Sequence, residues 1–153
     1  MTGLSQAFGN LNKDALRIRS FEFGEHTFKV RVPLTAESDA MFERLKNPDE
    51  ALVDKLYAEL SKDFTEENDQ IKFAENDVLI EGRSIRETAK TKALIQARIT
   101  EMFKMLVPEE VGFDMSTITY EMIDEMFPFA IQMQLMELIG ETVSPTYNAA
   151  KGK

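Results

Sequence analysis

The stretch Met126–Val143, MFPFAIQMQLMELIGETV, is the one whose reading decides the fold. Pro128 suits the first turn of a helix, where its missing N–H removes no hydrogen bond, and good helix formers follow it. The spacing predicts a helix over Pro128–Thr142. At about 100° per residue, Gln134, Glu137 and Glu141 gather on one narrow face, while Ile131, Met133, Leu135, Met136, Leu138 and Ile139 spread over most of the rest. A surface helix needs an apolar stripe of about 100°, and this one has roughly twice that. Two expectations follow: a core helix buried on two sides, or a helix buried on one side and offered to a partner on the other. Met133 and Met136, with Met122 and Met126 upstream, favour the second for part of the surface, because flexible, polarizable side chains accept apolar partners of more than one shape. The stretch is too short and too interrupted by glutamine and glutamate to span a bilayer, which takes about 20 mostly apolar residues.

Working back to the start, Met1–Leu16 mixes glycine, asparagine and small polar residues and is expected to be a flexible arm, with Leu4, Phe8, Leu11 and Leu16 free to dock on a partner. From Arg17 the pattern alternates. Ile18, Phe21 and Phe23 precede Gly24–Glu25–His26, and Phe28, Val30 and Val32 alternate with Lys29 and Arg31, which predicts a β-hairpin with a basic outer face. Thr35 is expected to cap a helix that buries Met41, Phe42 and Leu45. Asn47–Pro48 should end it and start the next, with asparagine as cap and the stripe Leu52, Val53, Leu56, Tyr57, Leu60 facing inward. Ile71, Phe73, Val78 and Ile80 flank Glu75–Asn76–Asp77 as a second hairpin closed by Gly82. Ser84 and Glu87 form a capping box for the longest helix, whose buried stripe runs from Ile85 to Leu106 and ends before Pro108. Thr117 or Thr119 then starts a short helix carrying Ile118, Met122, Ile123 and Met126 into the opening stretch. The expected fold class is α+β, mainly helical with about five helices and two short β-hairpins. It forms a single compact domain over residues 17–143, followed by a flexible tail at 144–153.

The totals narrow the function. With 153 residues and 43% hydrophobic composition, the chain can build one ordinary core. No cysteine is present, so disulfides, thiolate nucleophiles and thiolate metal sites are excluded. The net charge of −9 is uneven: residues 107–143 hold eight acids and no base, while residues 82–106 are basic. A nucleic-acid surface needs lysine and arginine against phosphate, preferably with stacking aromatics. The basic segment reads instead as an internal complement to its acidic neighbours, and no nucleic-acid or membrane partner is expected. Met1–Asn12 lacks a basic start followed by an apolar run, so no secretory leader is expected there.

Catalytic groups are scarce. His26 is the only histidine and falls in the expected hairpin turn. Residues 63–70, DFTEENDQ, are rich in oxygen ligands but have neither the glycine nor the twelfth-position glutamate of a calcium loop. Glu121, Asp124 and Glu125 share a helical face, yet no Glu-x-x-His accompanies them. There is no phosphate loop, nucleophile elbow or dinucleotide fingerprint. The chain is read as a non-enzyme with no metal and no cofactor.

The hairpin FEFGEHTFKVRVP (Phe21–Pro33), the acidic helices after it and the segment FPFAIQMQLMELIGETVSPTYNAAKGK (Phe127–Lys153) resemble the tail assembly chaperones of long-tailed bacteriophages, which are small, acidic and poor in cysteine. The resemblance covers most of the chain loosely and contains no strict motif. It implies a protein of the host cytoplasm that binds the tape-measure protein, keeps that long helical chain soluble, and yields it to the tail-tube protein during viral tail assembly. It also implies a second, longer form made by ribosomal frameshifting; Lys151–Gly152–Lys153 is compatible with slippery codons. Under this reading Phe127, Phe129, Ile131, Met133, Met136 and Leu138 are the protein-binding residues, for the client or for self-association, and a homo-oligomer is left open. The competing reading is a virion structural protein, such as a tail-completion or head–tail joining subunit.

Overall fold

The alternating stretch folds as expected into an antiparallel hairpin of β1 (Ile18–Phe23) and β2 (His26–Arg31). Gly24 and Glu25 form its two-residue turn, both with positive φ (60° and 64°), the geometry whose twist matches a two-residue hairpin. Phe21 lies opposite Phe28, and their rings stack with centroids 5.3 Å apart. The computed structural model describes residues 3–144, so the expected tail lies outside the described residues beyond Ser144. Within that range the chain is an α+β domain in which helices predominate, with two small antiparallel sheets. Its contacts divide into two compact units: Ser38–Glu101, and the described residues on either side of it.

The flanking unit contains the hairpin, two helical turns before it, α1 (Gly3–Ala7) and α2 (Lys13–Leu16), and the C-terminal helices. The expected arm therefore includes helical turns. The chain beside β2 departs from expectation. The longest helix stops at Phe103, about a turn before the predicted end, because the next residues are recruited as a third, strand-like row. Arg31 N–H donates to Met105 C=O at 2.9 Å, Val107 N–H donates to Lys29 C=O at 2.8 Å, and Val30 bridges Leu106. Covering the β2 edge satisfies backbone groups that a continued helix would leave unpaired, and Pro108 biases Val107 toward extended backbone. Val30 is wholly buried.

In the other unit, α3 (Thr35–Leu45) and α4 (Glu50–Ser61) follow one another, with the first residues of α3 belonging to the flanking unit. Thr35 is the first helical residue of α3, while Glu37 accepts from Leu34 N–H at 2.8 Å. Phe42, expected inside, is exposed, whereas Met41 is buried. The cap of α4 is Asp49, not Asn47: its carboxylate accepts from Ala51 N–H at 3.2 Å. A carboxylate beside the positive end of a helix is favoured there. The stripe on α4 packs as predicted, with Val53 and Leu56 buried against Ala89 and Ala93, and Leu52, Tyr57 and Leu60 at the margin.

The second hairpin gains a strand. β3 (Ile71–Ala74) and β4 (Asp77–Ile80) pair, and Glu81–Gly82 turn the chain into β5 (Arg83–Ser84). Gly82 thus lies in a second positive-φ turn instead of ending the sheet. The acidic loop before β3 spends its side chains locally: Asn68 accepts from Gln70 and Ile71 N–H, and Glu67 from Phe73 N–H.

Helix α5 (Ile85–Phe103) starts on a doubled cap. Ser84 Oγ accepts from Glu87 N–H, as predicted, while the Glu87 carboxylate pairs with Lys90 at 3.2 Å. Asp77 supplies the second part, accepting from Ser84 Oγ and from the Arg86 and Val78 N–H groups. Burial works against its ionised form, but those hydrogen bonds and the Arg86 charge outweigh it and hold the carboxyl below its ordinary value. Arg86 lies over the Tyr57 ring at 4.2 Å and reaches Asp54 at 2.9 Å, tying α5 to α4.

Candidate protein-binding face

Helices α6 (Tyr120–Met126) and α7 (Phe129–Val143) form the site. Thr119, one of the two expected starts, caps α6 by accepting from Met122 N–H at 3.3 Å. Phe127 leaves the helix in extended backbone, and Pro128 precedes α7 as its cap residue, one position outside the expected start. The corner arises because a proline disfavours helical backbone in the residue before it, here Phe127, yet starts a new helix without loss.

Helix α7 packs on the β1–β2 hairpin, and along it Gln132, Leu135 and Ile139, all wholly buried, form a seam. Their spacing of three and four puts them on one line. Truncating Leu135 to alanine there is expected to cost about 2–5 kcal/mol, the range for wholly buried leucine. At the far end, Arg19 of β1 donates to Thr142 C=O at 3.1 Å, satisfying one of the last carbonyls of α7 and placing a cation at the negative end of its dipole. Gly140 lets the helix approach closely, since a Cβ there would lie 3.2 Å from Met102 Cε.

Gln132 is the polar residue in that seam and is fully used. Its Oε1 accepts from Tyr120 Oη at 2.8 Å; its Nε2 donates to Asp124 Oδ1 at 3.0 Å and to Phe127 C=O at 2.8 Å. The amide therefore fixes the α6–α7 corner by gripping α6 at its first residue, Tyr120, and at Asp124, together with the chain that leaves it at Phe127. Burial first, then the nearby Asp124 carboxylate, push the Tyr120 phenol above its ordinary value, against a smaller opposite effect of Gln132.

The six residues singled out in the sequence are distributed as follows. Met133 and Met136 are half-buried on one flank of the seam, and Ile131 and Leu138 half-buried on the opposite flank, so the four do not form one face. Phe127 is half-buried with its ring 5.9 Å from Phe103, and Phe129, at the helix start, is exposed. The outward face is Ala130, Gln134, Glu137 and Glu141, which agrees with the narrow polar face read from the sequence.

The exposed methionines among the described residues are Met122 and Met126 of α6, one helical turn apart, with Met126 the more open of the two. The sequence grouped them with Ile118 and Ile123, which are buried; the signal that separates them is spacing, since Met122 and Met126 fall on one line of α6 and Ile123 about 100° from Met122. Gln132 was missed because a glutamine within an apolar run reads as an interruption. Its place on the line of Leu135 and Ile139 was the available sign.

His26 is the first residue of β2, paired with Phe23, and not a turn residue. Its ring meets Phe28 edge-on at 4.7 Å, and Nε2 lies 2.6 Å from Glu109 Oε2. Among the described residues no group of three or more histidine, aspartate or glutamate side chains is arranged to hold a metal ion, and no helix is long and apolar enough to cross a membrane. A scan against protein-family models, a search of curated proteins and a search of solved structures each return no match.

Proposed function

We propose that this chain is a tail assembly chaperone of a long-tailed bacteriophage, which binds the tape-measure protein and keeps it soluble while the tail is built. The observation that supports this reading best is the environment of α7 and α6. A buried seam anchors α7, half-buried methionine, isoleucine and leucine side chains flank that seam, and Met122, Met126 and Phe129 are exposed beside it. An apolar helix of a client fits such a surface as a helix fits a groove, and methionine tolerates variation along a long repetitive client. The acids of residues 107–143, with no base among them, supply the charge that keeps a complex of this kind dispersed.

A chaperone leaves before the particle is complete, whereas a tail-completion or head–tail joining subunit stays. Mass spectrometry of purified virions separates the two. The chaperone reading expects the tape-measure protein and the tail-tube protein in the particle and this chain absent from it. Finding the chain at a fixed stoichiometry in virions overturns the reading in favour of a structural subunit.

A further inference from the structure

Helix α6 carries two features that the fold does not use. Met122 and Met126 are exposed one turn apart, with Met126 74% exposed, and Phe129 follows across the α6–α7 corner at 50%. At about 100° per residue, Glu125 falls about 60° and Glu121 about 100° round the helix from Met122, on the side away from buried Ile123. The apolar strip is therefore bounded by the domain on one side and by two exposed glutamates on the other. Among the described residues neither glutamate has a hydrogen-bond or ion-pair partner, in contrast to Asp124 on the same helix, which accepts from Gln132 Nε2 at 3.0 Å. Residues 107–143 contain no base, so the segment itself supplies no counter-charge.

We propose that this face selects a cationic amphipathic helix, one whose apolar stripe lies on Met122, Met126 and Phe129 and whose flank sets lysine or arginine against Glu121 and Glu125. The inference rests on the reading of the face as a client site and adds which helices that site takes. Residues four apart on any helix advance by about 6 Å, so apolar side chains at that spacing on the partner meet the two methionines turn by turn, and bases at the same spacing on its flank meet both glutamates. An apolar flank would strip water from the carboxylates without compensation, and an acidic flank would repel them; a basic flank offsets the loss and steers the encounter. Methionine adapts to apolar partners of many shapes, which leaves the charge of the flank to discriminate among helices. The same glutamates disfavour nucleic-acid phosphate and anionic lipid as occupants.

Fluorescence anisotropy on the full chain tests this with two labelled peptides of about 18 residues, long enough to form a helix. They share one leucine stripe and differ only in bearing lysines or glutamates along one flank. The wild-type chain is expected to bind the lysine peptide at least about tenfold more tightly than the glutamate peptide. Glu121→Lys with Glu125→Lys, at exposed positions and shown folded by circular dichroism, is expected to reverse that preference. Met122→Ser with Met126→Ser is expected to weaken binding of the lysine peptide about tenfold or more, which separates docking on the strip from plain attraction to acids. Equal affinity for the two peptides, no binding of either, a preference that survives the charge reversal, or full affinity in the serine variant each overturns the proposal. So does a serine variant whose own sedimentation changes while its peptide affinity does not, which gives the strip to a second copy. Co-expression with a tape-measure protein keeps the two readings apart. A client held soluble equally by the wild type and the charge-reversed variant overturns the charge selection and leaves the chaperone reading standing. Peptide selectivity as expected, with no effect on the tape-measure protein, supports the selection and overturns the chaperone reading.

Discussion

Gln132 accepts the phenol proton of Tyr120 across the α6–α7 corner at 2.8 Å, and this bond joins two helices whose sequences give no obvious sign of each other. Because the amide also serves Asp124 and Phe127, its loss strands several polar groups at once. Gln132→Leu is expected to destabilise the fold by about 2–4 kcal/mol, and Tyr120→Phe by about 1 kcal/mol. Urea denaturation of the two single variants and the double variant checks this. The double is expected to be less destabilised than the sum, since both changes remove the same bond.

The cap of α5 makes stability depend on acid. Asp77 ionises more readily in the fold than in the unfolded chain, so its contribution is complete above the ordinary aspartate value of 3.8 and fades as pH falls through the lowered folded value. Glu37 behaves in the same sense, chiefly through the Leu34 N–H bond, against its burial and with help from Arg17. Asp77→Asn is expected to cost about 1 kcal/mol near neutrality, the usual value of a cap, and to flatten the stability profile below about pH 4 relative to wild type. Thermal melts across pH measure both effects.

The methionines separate by burial. Charging the half-buried pair, Met133→Glu with Met136→Glu, is expected to lower the melting temperature by several degrees, since carboxylates would be placed against the flank of a packed seam. Charging the exposed pair, Met122→Glu with Met126→Glu, is expected to leave it within about a degree, surface changes being worth within about 0.5 kcal/mol. Differential scanning calorimetry of the two double variants distinguishes them.

These particulars show what the chain order reveals and what it hides. The hairpin was legible because Phe21, Phe23, Phe28 and Val30 alternate around a glycine turn, and α7 because an apolar period of 3.6 is hard to mistake. The early end of α5 was not, because it depends mainly on the free edge of β2, a partner more than seventy residues away, while the local breaker Pro108 acts directly only on Val107. The shift of the α4 cap from Asn47 to Asp49 shows a local competition between two good capping side chains. In the candidate site, the amount of apolar surface was legible but its division was not. Helical spacing lists the sides of α7; only packing on the hairpin tells which side is the seam and which are the flanks.

Co-expression with a tape-measure protein, the client that the proposed function names, tests the central claim most directly, read as the fraction of that client in the soluble phase and its co-purification with this chain. The account predicts a soluble complex that forms with the wild-type chain and is lost with the Met122→Glu, Met126→Glu double variant, which still folds. A tape-measure protein whose solubility is the same with and without this chain, or that never co-purifies with it, would contradict the account.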